Sequence, residues 1–335
     1  MYSRPEQLLE QYPLIVKSFS KGRECYLCDT NLGTVALHEY YGSKERAAFL
    51  AKMLRYLREK GLLVECIIES SEGEILVTDE EERKYLLTES YHGAECDVNK
   101  EEDMLAATQL LADFHRISRQ FPEEIPEIIR RNHNSLPDLY EKHNRELRQV
   151  RNFVRSRKRK NAFEELFIRQ YETFSRKADT VTKALQSMSL TEEIYGFCHG
   201  DYNQHSIIFA RQGIALVGLE RFTYDLQIRD LANFVRKMME KNNWDIELGM
   251  KLITAYVKKR PLQEEESRCL YFFLSYPEKF WKLANHYGNG HKSWLYERNV
   301  EKLEKVILQE KERELFLEEL QKSLFSFHFQ ENQLY

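Results

Sequence analysis

The residues with the clearest chemical potential lie between positions 199 and 220. His199 and Asp201 are separated only by Gly200, and Glu220 comes later in the same stretch. A carboxylate such as Asp201 either accepts the proton of a substrate hydroxyl as a general base or holds its loop by accepting backbone N–H bonds. Glu220 could bind one magnesium ion, with water completing the coordination shell. Which role Asp201 takes depends on what the surrounding elements bring to it.

Two short strands and a tight turn are predicted to position these residues. Apolar runs at 207–209 and 214–219 are separated by a glycine-containing turn, which is the pattern of a hairpin. If the second run is a strand to its end and beyond, Gly218 and Glu220 share one of its faces. A helical pattern follows, and Asp230 is placed to cap it. The sequence therefore predicts a loop, a hairpin and a capped helix, in that order.

This stretch resembles the catalytic segment of the kinase-like phosphotransferases, which include the aminoglycoside and choline kinases. Those enzymes carry a loop of the form H-G-D-x-x-x-x-N, followed by a hairpin that ends in I-D-F-[DE]. The resemblance implies that the loop Asp accepts the proton of the attacking hydroxyl. It also implies that the Asn and the hairpin Asp hold the magnesium ions that bridge the ATP phosphates.

Set against that pattern, the sequence keeps the loop and loses most of the metal ligands. His199 and Asp201 match the H-G-D loop, but Ser206 stands at the Asn position. Gly218 stands at the metal-binding Asp position and has no side chain to offer. Glu220 matches the trailing acid of the motif and is the one residue that could still hold magnesium. The loss of these ligands favours a structural role for Asp201.

A second departure lies near the N-terminus. Residues 35–38 read V-A-L-H, where the related enzymes carry a Lys that holds the α and β phosphates. The position is His38, and a neutral imidazole cannot replace a fixed ammonium as a phosphate clamp. The simpler interpretation of His38 is an ordinary polar residue on a strand.

Length and composition describe an ordinary globular chain. The 335 residues suit one large or two ordinary domains, and 42% hydrophobic residues suffice for a full core. The charges nearly cancel to −4, so no global field favours nucleic acid or a membrane. Six scattered cysteines form no disulfide framework, and neither a signal peptide nor a membrane-spanning run is recognisable. The sequence therefore predicts a soluble protein synthesised in the cytoplasm.

Two further motifs are attributed to structure rather than to function. Cys25 and Cys28 form a CxxC, but it lacks a second pair and lies in a predicted strand, where the two side chains would point to opposite faces. The basic run at 151–160 is interpreted as the solvated face of a charged helix, with a docking surface as the alternative.

The order of elements predicts an α+β fold. Strands at 14–41, a helix after Ser43, and three more strands at 62–69, 74–78 and 84–88 precede a chain that is helical almost throughout, including a long region at 139–187. This order is that of a bilobal protein-kinase-like fold. The predicted domains are a small antiparallel-sheet lobe with one helix at 1–90 and a larger, mostly helical lobe at 91–335, which contains the catalytic-loop hairpin at 195–225.

Four stretches resemble a narrower family, the CotS-like spore-coat proteins. They are Y-P-E-K-F-W-K-L-A-N-H-Y at 276–287, G-D-Y-N-Q-H at 200–205, L-T-E-S-Y-H-G-A-E-C-D at 87–97 and Y-Y-G-S-K-E-R at 40–46. The resemblance implies a place in the coat of bacterial endospores and partners among other coat proteins. Taken alone, the segment at 276–287 predicts an amphipathic helix that buries Phe280, Trp281 and Leu283.

The sequence therefore favours a CotS-like endospore coat protein with a degenerate phosphotransferase site, a pseudokinase that acts through binding and assembly. We expect no turnover, no cofactor, no metal, and neither nucleic acid nor membrane as a partner. The alternative is an active kinase of a small molecule or protein hydroxyl, which would use ATP and magnesium with Asp201 as base and Glu220 as metal ligand. A nucleotide-binding regulator without turnover is the third hypothesis.

Overall fold

The structure of the chain, a computed structural model, describes residues 5–23, 25–130, 136–290 and 296–331. Internal contacts divide the described residues into two units. The first unit lies within Met1–Asn132, Gly196–Asp225 and Lys258–Arg260, and the second lies within His133–Tyr195, Leu226–Val257 and Pro261–Tyr335. The boundary after residue 90 that the sequence suggests stays a prediction.

The first unit contains the strands and the first four helices. Their bounds are α1 Pro5–Leu9, β1 Val16–Lys21, β2 Cys25–Thr30, β3 Gly33–Glu39, α2 Lys44–Glu59, β4 Leu63–Val64, β5 Leu76–Thr78, β6 Lys84–Glu89, β7 Gly93–Glu95, α3 Glu101–Ser118, α4 Glu127–Arg130, β8 Tyr195–Cys198, β9 Ile207–Ala210, β10 Gly213–Leu216 and β11 Thr223–Leu226. Short 3-10 turns occur at Gln204–Ser206 and Leu219–Arg221.

A five-stranded antiparallel sheet forms the N-terminal part, with the strand order β1-β2-β3-β6-β5. One face buries apolar side chains from β2, β3 and β6, including Val35, Leu37 and Leu87. Helix α2 begins at a cap, because the Ser43 hydroxyl accepts the N–H of Arg46 at 3.1 Å. The meander and the single helix confirm the predicted order of elements here.

A second sheet carries the hairpin and corrects two sequence predictions. Its order is β4-β10-β9-β7. The predicted strand at 62–69 is regular only at Leu63–Val64, which pairs in parallel with β10, while Ile67 forms an isolated antiparallel bridge to Thr88 of β6. The predicted strand at 214–219 ends at Leu216, because Gly218 adopts a left-handed conformation with φ +83°. Gly218 and Glu220 therefore do not share a strand face.

The second unit is helical. Its helices are α5 Leu136–Ser156, α6 Ala162–Gln186, α7 Ile228–Lys241, α8 Ile246–Lys259, α9 Glu264–Ser275, α10 Glu278–Gly288, α11 Tyr296–Leu308 and α12 Glu310–Glu331, with the last two residues of α8 assigned to the first unit. Helix α10 matches the amphipathic segment predicted at 276–287, and Phe280 and Leu283 are buried on it as expected. Trp281, which was also predicted to be buried, is only partly buried.

The helical region predicted at 139–187 is formed by two helices, because Asn161 and Glu164 form a capping box that starts α6 anew. Two other predictions in this unit were wrong, namely the helical placement of the whole basic run and the cap at Asp230. The basic run at 151–160 consequently ends α5 and forms the connection to α6. Asp230 does not cap α7, which begins at Ile228 with Gln227 as its N-cap. Asp230 lies inside the first turn and is buried there.

The antiparallel sheet in the N-terminal part and the helices beyond it confirm the α+β class. Among the described residues, no helix is both long and apolar enough to cross a membrane.

Candidate functional site

The loop that follows β8 is built around His199. This side chain is 1% exposed, and its Nε2 lies 2.8 Å from the carbonyl oxygen of Val217. Its Nδ1 accepts the backbone N–H of Asp201 at 3.3 Å, so the ring carries its proton on Nε2 and donates it to Val217. His199 thus fastens the loop to the end of the hairpin.

Gly200 is required where the loop passes the segment after the hairpin. Its φ is +86°, and a Cβ atom there would stand 2.3 Å from the carbonyl oxygen of Arg221. That separation is shorter than any real Cβ contact, and the neighbour is backbone, which cannot move aside cheaply. Glycine between His199 and Asp201 is therefore a steric necessity of this loop.

The polar residues after Asp201 are committed to holding its backbone. Asn203 donates its side-chain amide to the carbonyl oxygen of Asp201 at 2.7 Å and accepts the N–H of His205 at 2.9 Å. The hydroxyl of Ser206, at the position where the resemblance expects a metal-binding Asn, donates to the same carbonyl oxygen at 3.1 Å. Ser206 is also buried, so its oxygen is part of the loop's internal bonding.

The carboxylate of Asp201 points outward. Its side chain is 43% exposed, and Oδ2 lies 3.4 Å from Nη1 of Arg221. The carboxylate is thus accessible to solvent, as a general base must be. It also lies in an ion pair that would have to loosen before it accepted a proton.

The backbone of Gly218 is held by a buried carboxyl group that was not predicted from the sequence, that of Glu65. The backbone N–H of Gly218 donates to Oε1 of Glu65 at 2.5 Å, and the N–H of Leu219 donates to the same group. Glu65 is 5% exposed. Burial, reinforced by the nearby charge of Glu220, raises the pKa of Glu65 to about 8, although the two N–H groups oppose the shift.

Space alone does not exclude a side chain at Gly218. A Cβ atom there would meet the His199 ring at 3.6 Å, which is ordinary van der Waals contact. The constraint is the left-handed backbone, which Asp and Asn tolerate better than other residues with a side chain. Gly218 therefore contributes only backbone groups to the site, and it is its left-handed conformation that favours glycine there.

His38, at the position where the related enzymes carry Lys, lies on β3 opposite Cys25 and Leu86. Its Nε2 is 3.3 Å from the hydroxyl of Thr88. Burial lowers the pKa of His38, and the charge of Glu220 acts in the opposite direction without reversing it. His38 is therefore mainly neutral at pH 7, and the structure brings it into electrostatic reach of Glu220.

Arg46 on α2 fixes the segment after Glu220. Its guanidinium donates to the carbonyl oxygen of Phe222 and lies 4.2 Å from the centre of the Phe222 ring. It also lies within electrostatic reach of the hydroxyl of Tyr40. Arg46, Glu65 and Arg221 were not predicted from the sequence, since their partners are distant along the chain. An acid within the strand predicted at 62–69 was the only available sign of Glu65.

The CxxC behaves as a structural pair. Burial raises the pKa of Cys25 and of Cys28 to about 11, and nearby carboxyl groups add to the effect on Cys25. Both thiols are thus protonated at neutral pH, which is the opposite of a reactive cysteine. Among the described residues, no group of three or more His, Cys, Asp or Glu side chains is arranged to hold a metal ion.

The chain has the kinase-like fold of the phosphotransferases. The aminoglycoside phosphotransferase from Alicyclobacillus acidocaldarius subsp. acidocaldarius DSM 446 superposes with a TM-score of 0.82 at 18% identity, covering 97% of this chain and 98% of that one. A spectinomycin phosphotransferase, solved with ADP and spectinomycin, gives 0.66 at 14% identity over 91% and 97% of the two chains. At these identities the likeness shows the fold alone, and it confirms the kinase-like fold expected from the sequence.

The chain belongs to the family described as Spore coat putative kinase YutH, whose model matches residues 5–320. Spore coat protein S of Bacillus subtilis (strain 168) is 25% identical over 328 residues, which cover 94% of this chain and 93% of that protein. The resemblance to CotS-like proteins and the spore-coat localisation that it implied are thereby confirmed.

Proposed function

We propose that this protein is a pseudokinase of the spore coat, which works by binding and assembling with other coat proteins and transfers no phosphoryl group. The observation that carries the proposal is the state of three positions. His38 is a mainly neutral imidazole, Ser206 donates its hydroxyl to a loop carbonyl, and Gly218 has no side chain. Phosphoryl transfer rests on positioning and on charge neutralisation at the phosphates, and these positions supply neither.

The charged groups near His38 also argue against the binding of magnesium and ATP. Where the related enzymes place an ammonium group and magnesium, this chain places His38 within electrostatic reach of the carboxyl group of Glu220, which is in turn within reach of Glu65. Magnesium requires several oxygen ligands in near-octahedral geometry. Of the described residues at the matched metal-ligand positions, only Glu220 could provide one, so these residues do not fit a magnesium ion bridged to ATP. No cofactor is therefore part of the proposal.

An active kinase is retained as the second candidate because of Asp201. Its exposed carboxylate is the one feature of a phosphotransferase site that the loop presents to solvent. In that case Asp201 would accept a hydroxyl proton, and its ion pair with Arg221 would have to open first.

The test is thermal unfolding of the full chain with ATP, with magnesium, with both and with neither. A ligand that binds only the folded state raises the midpoint. We expect no magnesium-dependent effect of ATP and no phosphate release. A magnesium-dependent rise, together with phosphate release that Asp201→Asn abolishes, would overturn the proposal in favour of the active kinase. If ATP raises the unfolding midpoint independently of magnesium, and a substitution near His38 removes this rise, the protein would instead be a nucleotide-binding regulator without turnover.

The assembly half of the proposal is tested in sporulating cells. We expect spores that carry Asp201→Asn to show the same coat-protein profile as the wild type, whereas deletion of the chain changes it. If Asp201→Asn reproduced the deletion profile while the variant protein accumulated normally, phosphoryl transfer would be required and the proposal would fail.

A further inference from the structure

The second unit contains a groove with a strongly positive wall. It lies between α10 and α11, has a volume of about 330 Å³, and is called the α10–α11 groove below. Its lining residues are Lys279, Lys282, Leu283, His286, Arg298, Asn299 and Lys302. Four of them are cations, one is His, and no carboxylate is among them. In a chain whose net charge is −4, this concentration does not follow from composition.

Helix geometry brings the cations together. On α10, Lys279, Lys282 and His286 are spaced three and four residues apart, which places them on one face. On α11, Arg298 and Lys302 are four residues apart and share a face in the same way. Like charges at this spacing destabilise a helix, so each helix presents an unfavourable arrangement to the groove.

Only part of this positive charge is compensated within the protein. Nζ of Lys282 lies 3.0 Å from Glu278, and Nζ of Lys279 lies 3.7 Å from Glu240. Within the described parts of the chain, Arg298 and Lys302 make no ion pair. Burial, and then the charges of Arg298 and Lys279, lower the pKa of Lys302. The groove is thus a site where the folded chain holds positive charge at a cost.

A partly buried cation elsewhere in this unit, Lys177, has acidic partners. Lys177 lies 2.6 Å from Glu310, which also accepts Arg313 at 2.7 Å. The contrast indicates that the positive charge of the α10–α11 groove is satisfied from outside the chain. Lysine and arginine side chains are hydrogen-bond donors only, so a ligand must supply acceptors and negative charge. Phosphate and carboxylate groups do both, and their hydrogen bonds to Lys and Arg are charge-assisted.

We propose that the α10–α11 groove binds a compact oxyanion with several negative charges, such as a polyphosphate or a polycarboxylate, either free or as a group on a partner chain. Arg298 and Lys302 provide the uncompensated positive charge. The other two cations that line the groove, Lys279 and Lys282, extend the positively charged surface. The binding depends neither on Asp201 nor on the phosphotransferase loop, so it stands apart from the pseudokinase proposal and adds a recognition site to it.

The experiment is calorimetric titration of the full chain with inorganic tripolyphosphate at low ionic strength. We expect binding to weaken about tenfold or more in the double variant Arg298→Gln/Lys302→Gln, because two charge-assisted hydrogen bonds are lost. The matched control is Arg176→Gln/Lys183→Gln, which removes the same charge from exposed positions of α6. We expect the control to bind as the wild type does.

Two results would overturn the proposal. One is equal binding by the wild type and the Arg298→Gln/Lys302→Gln variant. The other is equal loss in both double variants, which would show that overall charge alone attracts the anion. If the groove variant fails to fold, the single variant Lys279→Gln is compared with Lys183→Gln on the same criteria.

Two further probes distinguish the source of the anion. Citrate tests whether carboxylates suffice, and a phosphoserine peptide, compared with its unphosphorylated form, tests a group carried on a partner chain. Tighter binding of the phosphorylated peptide than of tripolyphosphate, lost in the groove variant, assigns the site to a partner chain. The reverse order assigns it to a free anion. The Arg298→Gln/Lys302→Gln variant also shows whether ATP binds in the groove or at the phosphotransferase loop, because only binding in the groove should weaken in this variant.

Discussion

Replacing Glu65 with Gln is expected to raise the free energy of unfolding at neutral pH. The Glu65 carboxyl is buried beneath Gly218. Burial and the charge of Glu220 raise its pKa from an ordinary 4.5 to about 8. The folded chain therefore keeps a proton on Glu65 at pH values where the unfolded chain has lost it. Stability consequently falls as the pH rises through this window and levels off above it.

The magnitude follows from the width of the window. Each pKa unit corresponds to about 1.4 kcal/mol, so keeping Glu65 protonated costs about 3 kcal/mol of stability at pH 7. Gln cannot ionise, and its side-chain oxygen can still accept the N–H of Gly218. Glu65→Gln should therefore be about 3 kcal/mol more stable than the wild type at pH 7 and nearly equal to it at pH 4.5.

Urea unfolding of both proteins, from about pH 4.5 to about pH 8.5, measures this difference directly. The control is Glu72→Gln, the same substitution at an exposed position in the loop before β5. The decisive quantity is the pH dependence of the difference, since a fixed offset would reflect a changed hydrogen bond. A difference between wild type and Glu65→Gln that stays constant across the pH range would refute the reasoning.

Three further predictions concern other parts of the chain. Burial lowers the pKa of His143 to about 4, so stability should fall by up to about 3 kcal/mol as the pH drops from 6.5 towards 4, and His143→Gln should flatten this fall in unfolding experiments. Gly200→Ala should cost about 2–4 kcal/mol in urea unfolding because of its backbone overlap, against about 1 kcal/mol for Gly73→Ala, which has a similar φ and open space. Tyr276→Phe should cost about 1–2 kcal/mol in thermal unfolding, since its hydroxyl donates to the buried Asn144 side chain at 2.9 Å.

Local patterns predicted the elements that depend on neighbouring residues. The hairpin was visible because two apolar runs flank a turn, and α2 was visible because Ser43 precedes an amphipathic stretch that ends at Gly61. The same logic failed at Gly218, because an apolar run does not reveal a left-handed residue within it. It also failed at 157–161, where charge continues but Asn161 restarts the helix.

Contacts between distant residues could not be predicted in this way. Glu65 lies far from Gly218 along the chain, and Arg46 lies still farther from Phe222. A side chain in such a contact has no periodic signature, and an Arg or Glu in a highly charged sequence is unremarkable. The resemblance to a family indicated which positions correspond to the phosphotransferase site. Only the structure shows which groups surround those positions.

These contacts explain how the loop and the hairpin are held together in this chain. In the related enzymes, according to the resemblance, a metal connects the loop to the hairpin by binding residues of both. In this chain direct bonds make that connection. His199 donates to Val217, and Glu65 accepts the N–H of Gly218. Because the loop is already held by the protein, it keeps its shape without a metal, and the substitutions at Ser206 and Gly218 need not unfold it. Under the pseudokinase proposal, these direct bonds are what allows a kinase-like fold to serve as a binding scaffold without ligands for magnesium.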